Sequence, residues 1–243
     1  MLEIQITPGT LTIPDDVQCV CFRGTFSGDA LQQMIRHMYA DTSIIYLGLS
    51  HTLLQSSGAI MIAEMLKVNT TIRSIDLSYN AIGFEGIRAL MDTLSTHPTI
   101  MGVNLDGNGF ANDGAQQVAN ALRVSSRLQS ICLSNNSIES EGIVVIANAL
   151  KQNHKLESIK ISENRIGATG VRALAEVLET CSVLQDLHLA NCELEYCDKD
   201  TIQYLIRALE ANTGLVNINL YGNCFGDMAV QFLELRRKFR VVL

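Results

Sequence analysis

The strongest constraint on this chain is that it repeats itself. Ile72, Ile75, Leu77 and Asn80 recur at the same spacing as Ile100, Val103, Leu105 and Asn108, as Leu128, Ile131, Leu133 and Asn136, and as Leu156, Ile159, Ile161 and Asn164, a period of 28 residues. One step forward lie Leu184, Leu187, Leu189 and Cys192, and one step back Ile44, Leu47, Leu49 and Thr52. A last unit, Leu215, Ile218, Leu220 and Asn223, follows after 31 residues, and a degenerate first unit, Val17, Val20, Phe22 and Thr25, lies 27 before Thr52. A fixed period of this length marks stacked supersecondary units, none of which can bury its apolar face alone. The 243 residues therefore read as one array and a single domain, 1–243, although length alone would allow two.

The second half of the unit fixes its internal structure. Gly58, Gly86, Gly114, Gly142 and Gly170 each sit six residues after the Asn-type position, and Leu66, Leu94, Leu122, Leu150 and Leu178 fourteen after it. Ile62, Leu90, Val118, Ile146 and Leu174 precede those leucines by four, the spacing that puts two side chains on one helix face. Ala63, Ala119, Ala147 and Ala175 are small enough to let neighbouring helices approach. The segments before the asparagines are short, apolar and alternating, so each unit is one strand, one tight turn and one helix. The asparagine amide has donors and an acceptor, and can link the turns of adjacent units into a ladder. Thr52 and Cys192 satisfy less and should be its weaker joints.

Leu-x-x-Leu-x-Leu-x-x-Asn followed by a Gly-x-x-x-Leu-x-x-x-Leu helix resembles the ribonuclease-inhibitor-like subfamily of leucine-rich repeats over roughly residues 17 to 240. Repeat regions of Ran GTPase-activating proteins and NOD-like receptors are of this type, and a short stand-alone array also resembles bacterial leucine-rich-repeat effectors. The resemblance implies an α/β leucine-rich-repeat solenoid, a horseshoe with parallel strands on the concave face and helices on the convex face. Residues 1–16 then form an N-terminal cap, 17–238 about eight repeats and 239–243 a C-terminal tail. Leu2 to Ile6 and Leu11 to Ile13, around Thr7-Pro8-Gly9-Thr10, are expected to form a hairpin over the first unit, with Phe239 to Leu243 covering the last. The implied function is non-enzymatic binding of a cytosolic protein partner, in a host cytosol if the chain is an effector. The alternative is an enzyme regulator, either a Ran-type GTPase activator or an inhibitor. A short array without a long acidic tail weakens the first, and the lack of a large charged concave face weakens the second.

Strand residues between the core positions face the concave side, where members of the family bind. The expected contacts are Tyr46 and His51; Asp76 and Tyr79; Asn104 and Asp106; Lys160 and Glu163; Asp186 and His188; and Asn219 and Tyr221. Tyr46, Tyr79 and Tyr221 are the preferred anchors, because tyrosine joins a large apolar ring to a hydroxyl. A net charge of −7 argues against nucleic acid or an anionic membrane as partner, and no apolar run is long enough for membrane insertion. Arg236, Arg237 and Lys238 read as a solvated helix end. The first residues, with no basic start or long apolar run, give no secretory signal. Seven scattered cysteines suit a reducing cytosol better than a disulfide framework.

No cofactor or metal is expected. Cys19-x-Cys21 has no second pair at zinc spacing and is expected on exposed strand positions, and no phosphate-cradling glycine motif occurs. Ser162, His188 and Asp186 form a hydrolase trio on paper only, since an open strand face offers no oxyanion hole. The loop Glu193-Leu194-Glu195-Tyr196-Cys197-Asp198-Lys199-Asp200 enlarges one unit by three residues and carries five charges around a tyrosine, which makes it a further contact candidate.

Overall fold

The computed structural model describes residues 1–6, 13–14, 17–26 and 28–243. Among these, ten strands pair in chain order as one parallel sheet: β1 (Leu2–Gln5), β2 (Cys19–Arg23), β3 (Tyr46–Gly48), β4 (Ser74–Asp76), β5 (Gly102–Asn104), β6 (Ser130–Cys132), β7 (Ser158–Lys160), β8 (Asp186–His188), β9 (Asn217–Asn219) and β10 (Arg240–Val242). Each of β2 to β8 is followed by a helix that returns the chain to the start of the next strand: α1 (Gly28–Ala40), α2 (Gln55–Leu66), α3 (Gly83–Leu94), α4 (Ala111–Val124), α5 (Ser140–Leu150), α6 (Gly167–Thr180) and α7 (Lys199–Ala211). A six-residue α8 (Ala229–Glu234) stands between β9 and β10. This is the expected α/β solenoid, strands inside and helices outside. No helix among the described residues is long and apolar enough to cross a membrane.

Homologous residues pair across the whole sheet. Tyr46 lies opposite Ser74, Ser74 opposite Gly102, and the same step continues through Ser130, Ser158 and Asp186 to Asn217. The repeat thereby stacks Leu47, Ile75, Val103, Ile131, Ile159, Leu187 and Ile218 into one buried column facing the helices. Ala63, Ala119, Ala147 and Ala175 are fully buried, as close helix packing requires. Gly142 shows the same crowding, since a Cβ there would come within 3.0 Å of the Ala115 methyl and closer still to Ile138.

The asparagine ladder forms. The Asn136 amide donates to Leu105 O at 2.9 Å and Ser134 O at 3.1 Å, while its oxygen accepts from the backbone N–H of Asn108 at 2.8 Å and of Gly109 at 3.0 Å. Asn80, Asn108, Asn164 and Asn223 repeat the pattern. The two substituted joints are poorer. Thr52 donates its hydroxyl to Leu49 O and to the Asn80 amide oxygen, and the Cys192 thiol reaches only 3.5 Å from Ile161 O and 3.4 Å from Ala190 O.

A second ladder, not expected from the sequence, runs along the opposite turn, where helix passes to strand. Asn69 donates to Met38 O and accepts from the N–H groups of Thr71 and Ile72. Asp41, Asn153 and Asn212 accept from the corresponding N–H pairs of their own turns, and Asn153 and Asn212 also donate across to the preceding unit. In the next unit after Asn69 the position is His97. Its Nδ1 accepts from Thr99 and Ile100 N–H, and its Nε2 lies 3.0 Å from the carbonyls of both Leu66 and Asn69. Ser125 keeps one such bond, from Leu128 N–H.

The turn and most of the second arm of the expected N-terminal hairpin lie outside the described residues. β1 pairs parallel with β2, Leu2 opposite Val20 and Gln5 opposite Arg23, so it adds one more strand in the direction of the array. Ile13, the last residue of the second arm, is buried without being in a strand. At the other end Phe239 is buried and Arg240–Val242 pairs parallel with β9.

Candidate functional site

Every short strand from β4 to β9 has one buried central residue flanked by two half-buried ones that face away from the helices. Much of that inner face is lined by small residues, among them Gly48, Gly102, Ser74, Ser130 and Ser158, so the larger side chains stand out from a low floor. Tyr46 lies between Cys19 and Ser74 in register. Burial, and then the nearby Asp76 carboxylate, push its phenol above the ordinary value. Asp76 accepts from Ser78 N–H at 2.9 Å and Ser78 Oγ at 2.7 Å. Asp106 accepts from Ser134 N–H at 2.6 Å, and the Asn104 amide oxygen accepts from Asp106 N–H. Burial pushes the Asp106 carboxyl above its ordinary pKa, against the opposing pull of Ser134 and Lys160.

Farther along, Lys160 stands in register between Cys132 and His188. Burial, and then Lys160, hold the His188 imidazole below its ordinary value, while Asp186 pulls the other way. The Cys132 thiol is pushed up to about 11, chiefly by burial. Asp186 accepts from the Asn217 amide, and the Asn219 side chain accepts from Tyr221 N–H at 3.0 Å. Asp76, near Tyr46, and Asp106 thus lie in one half of the face, and Lys160, His188 and Asp186 in the other.

Five expected strand contacts lie past the strands: Asp106 and Tyr221 begin the turn, and three more follow with a left-handed backbone. His51, Tyr79 and Glu163 are in the turn leaving the strand, at φ 58°, 55° and 56°, on the rim above the face. Asn135 and Asn191 share that conformation, and Gly107 and Gly222 take the same position at φ 68° and 74°. The left-handed turn carries these side chains along the array. The His51 ring stacks on Tyr79 with centroids 4.5 Å apart and planes 5° from parallel, and a Cβ at Gly107 would lie 2.4 Å from the Tyr79 ring. Gly107 therefore leaves room for an aromatic pair that the sequence pattern did not reveal, and Tyr79 remains 42% exposed. Tyr221 is 59% exposed but belongs to the last full unit, so the three tyrosines are not brought together. Cys21, expected on the exposed face, is buried, because Gly48 lets the next strand close over its sulfur.

The Ser-His-Asp trio does not assemble. The Ser162 hydroxyl accepts from Ala190 N–H at 3.0 Å, Asp186 is engaged by Asn217, and His188 shares its register position with Lys160. All seven cysteines are free, and the described residues contain no group of three metal-ligating side chains.

Residues 68–91 and 152–175 match the family model described as Leucine Rich repeat, each match running from the end of one helix through the strand into the next. The fold is that of a leucine-rich-repeat solenoid. The subfamily is left open by that match. Among solved structures, this leucine-rich-repeat array is similar to the leucine-rich-repeat-containing protein LegL7 from Legionella pneumophila, with a TM-score of 0.64 and 18% identity over 96% of this chain and 77% of that one. It is also similar to the leiomodin-1 actin-binding site 2, with a TM-score of 0.55 and 20% identity over 63% of this chain and 86% of that one. The tropomodulin C-terminal domain of Caenorhabditis elegans gives a TM-score of 0.53 at 14% identity, over 65% and 92% of the respective chains. At these identities the likeness is one of fold. A search of the curated proteins gives no match.

Proposed function

We propose that this leucine-rich-repeat solenoid is a non-catalytic binding module that takes a protein partner on its concave face. The carrying observation is the stacked His51–Tyr79 pair, seated on Gly107 next to Asp106, in the same units whose strands carry Tyr46 and Asp76. A ring already stacked loses little further freedom on binding, and two carboxylates beside it favour a basic side chain over an acidic one. Asn104 lies between the acids, and Lys160, Glu163, Asp186, His188, Asn219 and Tyr221 extend the surface for a longer partner. Repeat solenoids commonly bind through extended faces of this kind. The same reading keeps nucleic acid out, because the net charge of −7 opposes a polyanion.

Affinity capture from eukaryotic cytosol tests the reading, with the wild type beside a Tyr46→Ala, Tyr79→Ala, Tyr221→Ala variant shown by circular dichroism to be folded. A protein held by the wild type and lost from the variant supports it, and an identical set on both removes the concave face from consideration. Actin, the partner named for the leiomodin-1 fragment, is a defined probe for the same pair. A narrower reading, that the chain is a bacterial effector acting in a host cytosol, rests on the family resemblance, and a translocation reporter fused to the full chain tests it.

A further inference from the structure

The repeat is interrupted twice near the C-terminal end of the array, and the two interruptions face each other. Where other units pass from turn to helix, the unit of β8 carries a 3-10 turn, Leu194–Tyr196, before α7 begins at Lys199. In the next unit the helix is replaced by a 3-10 turn, Gly226–Met228, and the six residues of α8, against 11 to 14 residues in α2 to α6. The short segment leaves the start of α7 uncovered, with a groove of about 730 Å³ between them.

Its lining includes the apolar side chains of Leu194, Ile202, Phe225 and Met228 beside Gln203 and Gln231, and Phe225 and Met228 keep part of their surface in solvent. Its rim carries Glu195, Asp198, Asp200 and Asp227 against a single cation, Lys199. Asp198 is occupied as the N-cap of α7, accepting from Thr201 N–H at 2.8 Å, and pairs with Arg172 at 3.4 Å. The other three carboxylates are exposed and, among the described residues, make no ion pair with a cationic side chain.

We propose that this groove docks a basic amphipathic peptide segment of a partner protein, its apolar side chains on Phe225 and Met228 and its Lys or Arg groups on Glu195, Asp200 and Asp227. Charge complementarity selects the occupant. Anionic lipid, phosphate and acidic peptides meet net repulsion at this rim, where four carboxylates outnumber Lys199, whereas apolar lining adds nothing to the binding of a small cation. Met228 is an adaptable contact, able to accept side chains of varied shape. The groove is lined by none of the concave-face residues, so this inference stands or falls separately from the binding site proposed above.

The test is fluorescence anisotropy on the full chain with a short labelled peptide alternating leucine and arginine. Saturable binding is expected, weakened at least tenfold by Glu195→Lys with Asp227→Lys and also weakened by added salt. A peptide with glycine in place of leucine should bind at least tenfold more weakly. Both altered residues are exposed, and Glu195→Gln with Asp227→Asn gives the same reading with smaller loss if charge reversal disturbs folding. Equal binding of the glycine peptide overturns the proposal, as does absence of binding. Binding untouched by either groove variant but lost in Asp76→Asn with Asp106→Asn overturns it too, and assigns the peptide to the concave face.

Discussion

Replacing Asn136 by alanine tests whether the ladder couples one unit to the next. Asn136 is fully buried and its side chain makes four hydrogen bonds, but they are not equivalent. Leu105 O retains a bond from the Asn108 amide and Ser134 O retains one from Gly107 N–H, so neither carbonyl is orphaned by the substitution. The backbone N–H groups of Asn108 and Gly109 lose the only acceptor shown for them. A buried donor left unpaired costs about 1–3 kcal/mol, and that is the expected loss, since Asn108 is buried whereas Gly109 is exposed and water can take over its N–H. The bonds cross a unit boundary, so the loss should also weaken nearest-neighbour coupling and broaden the transition. Urea unfolding followed by helical circular dichroism reads both effects, as midpoint and slope. Asn135→Gly, one residue away at an exposed position with φ 53°, is the control and should change stability by less than about 0.5 kcal/mol. A loss below about 1 kcal/mol for Asn136→Ala, with unchanged slope, refutes the ladder as a coupling element.

The converse change, Cys192→Asn, should raise the urea midpoint by the equivalent of about 1 kcal/mol, by returning an amide to a buried joint now held by a thiol; a lower midpoint contradicts this. The native Cys192 thiol, pushed up to about 12 by burial, should also resist a disulfide reagent that modifies the exposed Cys224. At the second ladder His97→Ala should cost about 2–4 kcal/mol, because Thr99 and Ile100 N–H lose their acceptor, whereas His97→Asn should keep most of the stability; equal losses would contradict the shared role. For His188, whose folded pKa lies below its ordinary 6.5, the unfolded chain takes up the proton first, so its contribution to stability is lost as pH falls below about 6.5. Lys160→Met should raise the imidazole pKa in an NMR titration and lessen that loss, and an unmoved or lowered pKa argues against the pairing. For Asp106, whose folded pKa is raised above 3.8, stability falls as pH rises through that value, so Asp106→Asn should gain stability over the wild type at neutral pH and little at pH 3. Thermal melts at the two pH values check the sign.

These predictions separate what the sequence made legible from what it did not. The apolar positions and the first ladder were legible because each role admits few residue types: a core position between packed layers takes an aliphatic side chain, and a turn needing donors and an acceptor at once takes asparagine. The second ladder serves the same end with Asp41, Asn69, His97, Ser125, Asn153 and Asn212, since any side chain with an acceptor near the backbone can receive those N–H groups. A role open to four residue types leaves no consensus to read, though the recurrence of polar residues after every helix from α1 to α7 except α6, which is followed by Cys181, was a signal. The face is less legible still. Strand alternation correctly placed Tyr46, Asp76 and Lys160, but extending it past the strand misplaced His51, Tyr79 and Glu163, because a left-handed residue ends the alternation at each turn. Gly107 carried the clue, as a glycine where most other units have a side chain, yet only the ring of the preceding unit explains it. Asp106 differs in kind, because burial raises its carboxyl pKa and so works against the ionised form. On the proposed reading that carboxylate serves contact rather than folding, so Asp106→Asn should leave the array stable and weaken recognition.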